Sequence, residues 1–394
     1  MTSYGGTVAA GWEPVEAAFR ENFDAEGAEE VGAAVAIFHR GEQVVDLWGG
    51  TRTAPDGGEV PYDDSTLQLV FSTTKGVTAV AVAMCAQRGL IDYHEKVATY
   101  WPEFAAHGKG DATVAQLLSH QCGLFSVDGP ITLEEALDWD TVTSRLADTA
   151  PGWPIGSGHG YHALTYGWLA GELIRRTDGR TPGEFVRDEI SGPLGIDLWI
   201  GLPESEEHRV APLVGRPLTT EASDPAIKAM LEQFIGPDTR GGRALSLNGA
   251  FSVEGAFNRR DVHAAQIPAA NGITNATALA TMYAATLQPI NGVQLLDDEV
   301  RDVARTTLTP SGEADLCLIM PTTFGMGFMT HGQFTPFGGP GSYGHPGAGG
   351  SEAFALPERD LAFAYVMSKM SSNLSGDVRA RRLIDAATSV VDGL

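Results

Sequence analysis

The sequence predicts an α+β fold in which an antiparallel β-sheet, assembled from both ends of the chain, is flanked by helices, with an inserted helical region and a cleft at the junction. Three observations carry this prediction. Val31 to Gly50 reads as two strands around an Arg40-Gly41-Glu42 turn. Gly350 to Pro357 and Leu361 to Ser368 read as a second pair, joined at Glu358-Arg359-Asp360. Between the two pairs, from about residue 80 to 180, apolar residues recur at helical spacing, as in Leu169-Ala170-Gly171-Glu172-Leu173-Ile174.

Taken in order, Trp12 to Phe23 has the pattern of an opening helix ahead of the first strand pair. Leu67 to Phe71 is a short apolar lead into a helix that opens at Ser72, continues through Val77-Thr78-Ala79-Val80-Ala81-Val82-Ala83-Met84 and stops at Gly89, a residue suited to the left-handed position after a helix. Residues 200 to 275 are rich in Gly, Pro and Asn and weakly patterned, which predicts long loops along a cleft. Thr277 to Leu287 is helical again, and Ala380 to Val391 is a closing helix. The expected division is a sheet domain, 1–79 and 180–394, and a helical domain, 80–179.

Composition narrows the classes of partner. Fifty acidic against 26 basic side chains give a formal charge of -24, a field that repels phosphate backbones and anionic membranes, so nucleic acid is not an expected partner. The N-terminus lacks a basic and apolar leader, and no run of about 18 uncharged apolar residues follows, so a cytoplasmic protein without a membrane span is expected. Cys85, Cys122 and Cys317 are odd in number and far apart, as suits free thiols in a reducing compartment.

The chemistry concentrates in Ser72-Thr73-Thr74-Lys75. Positions three apart share a helix face, so a hydroxyl and an amine meet at the first turn, where the helix N-terminus favours negative charge. A serine is a weak nucleophile until a neighbouring base takes its proton, and a lysine kept neutral by burial is such a base. Taken alone, the motif reads equally as a Ser cap and a surface Lys. Two later segments add context: Gly156-Ser157-Gly158-His159-Gly160-Tyr161 presents a phenol after a Gly-rich loop, and Tyr343-Gly344-His345-Pro346-Gly347-Ala348-Gly349-Gly350 presents a Gly-rich stretch entering a strand.

With these elements the chain resembles the serine hydrolases of the class C β-lactamase and penicillin-binding-protein fold, and among them the family VIII carboxylesterases. The resemblance runs in order from Ser72-x-x-Lys75 through Leu117-Leu118-Ser119-His120-Gln121-Cys122-Gly123-Leu124 and Tyr161 to His345-Pro346-Gly347. It implies a β-lactamase/transpeptidase-like architecture with Ser72 as nucleophile, Lys75 as base and Tyr161 as phenolate or proton relay. A phenol of ordinary pKa near 10 is a poor relay at neutrality, so a cationic Lys75 beside it is expected to lower that value. The resemblance further implies an oxyanion hole of the Ser72 and Ala348 amides: Pro346 has no N–H, and Gly347 lets the backbone approach a substrate.

The departures from the lactamase pattern are informative. Tyr161-His162-Ala163 stands where those enzymes carry Tyr-x-Asn, and His345-Pro346-Gly347 where they carry Lys-Thr-Gly. An amide that binds the lactam side chain is missing, and a fixed cation is replaced by an imidazole mostly neutral at pH 7. Both changes favour a small neutral ester as substrate. The resemblance thus implies an esterase acting on short-chain carboxylic esters, with His345 and Gly347 beside the substrate; Phe125 and Trp153 are added as candidate substrate-binding residues because aromatic side chains suit an apolar acyl pocket as well as a core. An acyltransferase, an amidase or β-lactamase-like hydrolase, and a non-catalytic acyl-ligand-binding protein are the alternatives. Trp199, Phe251 and Phe257 read equally as acyl-pocket or core aromatics.

Tyr166 is the rival phenol, but its apolar helical setting reads as core. Ser119 and His120, being adjacent, point apart and do not form a hydrolase pair; His159 and His162 flank Tyr161 and line the cleft at most. With neither a His-x-x-x-His nor a Cys-x-x-Cys spacing, no metal is expected. The absence of a strand-linked Gly-x-Gly-x-x-Gly removes a nucleotide cofactor, and the absence of Gly-x-Ser-x-Gly argues against an α/β-hydrolase.

Overall fold

The computed structural model describes residues 2–24, 30–215, 225–371 and 376–394. The first predicted hairpin forms as β2 (Gly32–His39) and β3 (Glu42–Thr53), turned by Arg40 and Gly41, whose φ angles of 53° and 80° lie in the left-handed region. β1 (Tyr4–Val8) adds outside β3, and β4 (Glu59–Pro61) pairs with the far end of β3. β5 (Leu67–Leu69), β6 (Leu198–Ile200), β7 (Val210–Ala211) and β8 (Gly272–Thr274) make a small second sheet in the order β6-β8-β5-β7. The second predicted pair forms as β11 (Glu352–Leu356) and β12 (Leu361–Met367), preceded by β9 (Met329–Thr330) and β10 (Tyr343–Pro346).

The main sheet is antiparallel throughout and runs β1-β3-β2-β12-β11-β10-β9. Its seam is β2 against β12, with Ala33 opposite Met367 and His39 opposite Leu361, which joins the two ends of the chain as expected. Alternation then sorts side chains by face. Ala34 and Ala36 of β2 and Ala362, Ala364 and Val366 of β12 share a core with the helix Ala276–Ala285. Small residues here let that alanine-rich helix approach closely. Val35 and Ile37 with Phe363, Tyr365 and Met367 face the other way, onto the helices Glu13–Asp24 and Val378–Asp392.

The helix Thr74–Gln87 is apolar on every side, and all of it from Thr74 to Cys85 is buried, as such a pattern demands. It ends through Arg88 and Gly89, the latter at φ 71°. Ser72 itself belongs to a preceding 3₁₀ turn, Phe71–Thr73, so the helix opens two residues later than the spacing predicts. The region 200–275, expected as loops, contains the helices Pro225–Ile235, Arg240–Ser246 and Arg260–Ala264. The last two, of 7 and 5 residues, carry too little period to register in the sequence; residues 216–224 of that region lie outside the described residues. Among the described residues no helix is long and apolar enough to cross a membrane, and all three cysteines are free and buried.

A buried carboxylate within the sheet makes one stability prediction. Burial raises Glu352 to about 7, with Arg381 opposing and Asp377 adding to the effect. A carboxyl raised in the folded state contributes stability below its unfolded value of 4.5 and loses it as pH climbs through the folded value. Glu352→Gln resembles the protonated form at every pH, so its advantage over the parent should grow from pH 5 to pH 8, to about 1–3 kcal/mol. Melting curves at the two pH values check this, and an advantage that shrinks with pH contradicts it.

Candidate active site

The residues ahead of the long helix are set by a local strain. Phe71 adopts φ 45°, an uncommon conformation for an aromatic residue, and its ring packs edge-on against Phe257 at 4.7 Å. This kink places Ser72 at the helix entrance and turns its side chain toward Lys75, one turn on. Lys75 Nζ lies 3.1 Å from Ser72 Oγ and donates to the carbonyls of Ala163 at 2.6 Å and Ala269 at 3.0 Å. No carboxylate is among these polar partners. Burial therefore holds the Lys75 amine well below the ordinary lysine range. Lys109, buried and likewise lowered by burial, differs in its partners: it donates to the Ala106, Ala147 and Thr149 carbonyls, none of which carries a proton to give, whereas Lys75 has a hydroxyl as its third neighbour.

Tyr161 reaches the same hydroxyl from the Gly-rich loop and donates to Ser72 Oγ at 2.8 Å. Its ring lies 4.8 Å from Lys75 Nζ and stacks between Phe324, at 6.0 Å, and His345, at 5.8 Å. The expectation that a cationic lysine lowers this phenol is corrected here. Burial comes first and raises its pKa, Asp315 adds to that, and the Ser72 hydrogen bond opposes it. Tyr161 is therefore a neutral donor at rest, beside an amine whose own burial also favours the neutral form.

The backbone behind Tyr161 is fixed by two neighbouring segments. On one side Thr113 and Gln116 form a capping box that starts the helix Val114–Leu118, which ends at His120 in a left-handed turn of φ 63°. His120 accepts the His162 N–H at Nδ1, 3.1 Å away, and its ring lies 5.4 Å from that of Tyr161. His162 Nε2 accepts from the Leu124 N–H at 2.8 Å, which leaves its Nδ1–H to donate to His120 Nδ1 at 3.1 Å. Burial, with Lys75 adding, pulls His162 down to about 3, so the pair is neutral. On the other side, the buried Asp315 accepts the Tyr161 N–H at 3.0 Å. His159 and His162 are fully enclosed and do not line the cleft. Tyr166 is buried inside the helix Thr165–Asp178.

The third motif approaches from the sheet. His345 and Pro346 end β10, and Ala348 sits in the turn to β11, not in the strand itself. Gly347 is a close-approach position: a Cβ there would stand 2.3 Å from the Val70 carbonyl and 2.2 Å from Ser351 Oγ. It thus lets this loop close onto the turn that carries Ser72, where Ser351 Oγ donates to the Val70 carbonyl at 2.9 Å and lies 3.1 Å from Thr73 Oγ1. Arg379 secures the far side of the loop, donating to the Gly349 carbonyl, to Asp377 and to Glu30. The His345 imidazole is buried and held well below its ordinary pKa by burial and then by Lys75; its Nδ1–H donates to the Pro346 carbonyl at 2.7 Å.

Ser72, Tyr161, His345 and Ala348 border a crevice of about 40 Å³ that Leu245, Leu318, Met329 and Phe334 also line. These four wall residues carry no sequence signal, since each sits in an unpatterned loop or short element. Phe125 and Trp153, expected to touch substrate, stack on each other at 5.7 Å and are capped by Arg243 and Arg240. They lie outside the crevice lining. A wider hollow of about 330 Å³ between Trp101, Asp140 and Arg175 lies on the helical region and contains none of these groups. Among the described residues no group of three or more His, Cys, Asp or Glu side chains is placed to hold a metal ion.

Comparison with known proteins agrees with this geometry in fold and extent. Residues 19–388 match the Beta-lactamase family model. The chain is 37% identical over 356 residues to the esterase/beta-lactamase LipL of Mycobacterium tuberculosis, covering 87% of this chain and 78% of LipL. A penicillin-binding protein homolog from Caulobacter crescentus superimposes with a TM-score of 0.85 at 38% identity, over 98% of this chain and 100% of that one. A family VIII carboxylesterase does so at 0.84 and 34%, with the same coverage. The architecture, the order of the motifs and these likenesses place the chain in the beta-lactamase family, on the branch that includes family VIII carboxylesterases.

Proposed function

We propose that the protein is a carboxylesterase that cleaves short-chain esters of neutral alcohols through an acyl-enzyme on Ser72. One observation carries the reading: Ser72 Oγ has the Lys75 amine at 3.1 Å and the Tyr161 hydroxyl at 2.8 Å. A neutral Lys75 donates its two hydrogens to the Ala163 and Ala269 carbonyls, which leaves its lone pair for the Ser72 proton. Ser72 Oγ then attacks the ester carbon. The oxyanion forms beside the Ser72 and Ala348 amides, and the Tyr161 proton passes to the departing alkoxide. The Lys75 ammonium returns its proton to the phenolate, so both groups are neutral again. Water then repeats the sequence in place of the alcohol and releases the acid.

The narrow apolar crevice favours a small acyl group, and the neutral His345 offers no fixed cation to a carboxylate. The names of LipL and of the family VIII carboxylesterase accord with ester cleavage. In this reading the sheet domain, 1–79 and 180–394, and the helical domain, 80–179, share the helix Thr74–Gln87, which runs through the first boundary. A panel of p-nitrophenyl acetate, butyrate and octanoate beside nitrocefin tests the substrate class. The acetate or butyrate should be fastest, with octanoate at least about tenfold slower. A nitrocefin rate equal to the best ester rate overturns the proposal.

A further inference from the structure

We propose that Asp315 is a positioning residue for the ester reaction, setting both the Tyr161 phenol and one wall of the acyl crevice from a single buried carboxylate. The inference rests on the acyl-enzyme reading above. Asp315 lies in the segment between Ala314 and Pro321, which bridge to one another, and is 1% exposed. Its Oδ1 accepts three backbone N–H groups, from Tyr161 at 3.0 Å, Cys317 at 2.8 Å and Leu318 at 2.8 Å. Its Oδ2 accepts from Thr322 Oγ1 at 2.8 Å. A buried carboxylate needs its lone pairs filled, and here main-chain amides and a hydroxyl fill them.

What those amides belong to gives the carboxylate its role. Tyr161 carries the hydroxyl that meets Ser72 Oγ, and Leu318 lines the same crevice. The Leu316 N–H also donates to the His159 carbonyl at 2.9 Å, so the two segments are laced together at Tyr161 and again two residues before it. Gly160 records how closely they meet: a Cβ there would stand 3.0 Å from Cys317 Sγ and 3.2 Å from Leu316 Cβ. Without Asp315 the Tyr161 backbone loses its anchor on this side, while the His120 carbonyl still holds the Gly160 N–H at 3.0 Å. A small drift of the phenol is enough to spoil proton delivery to the leaving oxygen.

The test is a double-mutant cycle on kcat for ethyl butyrate, whose alkoxide needs a proton to leave. Asp315→Ala should lower kcat at least about tenfold in the parent, but less than about threefold in the Tyr161→Phe background. Asp315→Asn keeps an oxygen for the three amides and should recover most of the rate. If the alanine variant fails to fold, the asparagine variant carries the same comparison, its smaller loss again confined to the background that has the phenol. Equal losses in both backgrounds overturn the inference and make Asp315 a structural group only. If Tyr161→Phe itself costs nothing, the acyl-enzyme reading fails instead, and the two failures are told apart.

Discussion

Ser72→Ala should lower kcat/KM for p-nitrophenyl butyrate by roughly 10⁴-fold or more, the scale seen when a hydrolase loses its nucleophile. Alanine retains the backbone N–H expected in the oxyanion hole, so binding and electrostatic stabilisation persist. What disappears is the atom that both Lys75 and Tyr161 address. Intact-mass spectrometry after treatment with a fluorophosphonate gives an independent readout: one adduct on the parent and none on the variant. A variant that keeps a tenth of the parent rate would remove Ser72 from the mechanism.

Lys75→Arg should be nearly as damaging, with a loss of about 10³-fold, because a guanidinium stays charged at every accessible pH and has no lone pair to offer Ser72. The parent enzyme should show the complementary pH behaviour. Burial lowers the Lys75 pKa, and in the proposed mechanism the active form is the free amine, so kcat/KM should rise with pH through that lowered value and level off short of the ordinary lysine range. Stability follows the same sign. Between the lowered and ordinary values the unfolded chain binds a proton that the folded chain does not, so folding strengthens as pH rises across that window. An arginine variant with parental activity, or an acid limb lying in the ordinary lysine range, would contradict the role given to Lys75.

Much of the architecture was legible in the sequence because its strongest signals are local. The β2–β3 hairpin announces itself through two apolar runs on either side of the Arg40-Gly41-Glu42 turn, and the helix after Ser72 through its long run of small apolar residues. Ser72 and Lys75 are neighbours by helix geometry alone, whereas Tyr161 was found only because its segment matches a family pattern. The weaker readings have separate causes. Asp315 is one of many acidic residues in an acidic chain, and only its three amide partners, one of them 154 positions away, distinguish it. Phe125 and Trp153 looked like pocket aromatics because aromatic side chains serve a core and a cleft equally well. The small sheet of β5 to β8 escaped notice since strands of two or three residues show no alternation.

The seam between β2 and β12 also bears on how the chain must be made. Residues 33–39 find their β12 partners only at 361–367, so a ribosome has to release the chain through residue 367 before the central ladder can close. Until then the apolar faces of β2 lack their cover, and the nascent N-terminal hairpin is exposed to off-pathway association. Such an arrangement favours slow, late acquisition of activity during synthesis. A C-terminal deletion that removes β12 would discard the middle of the sheet, and not a dispensable tail.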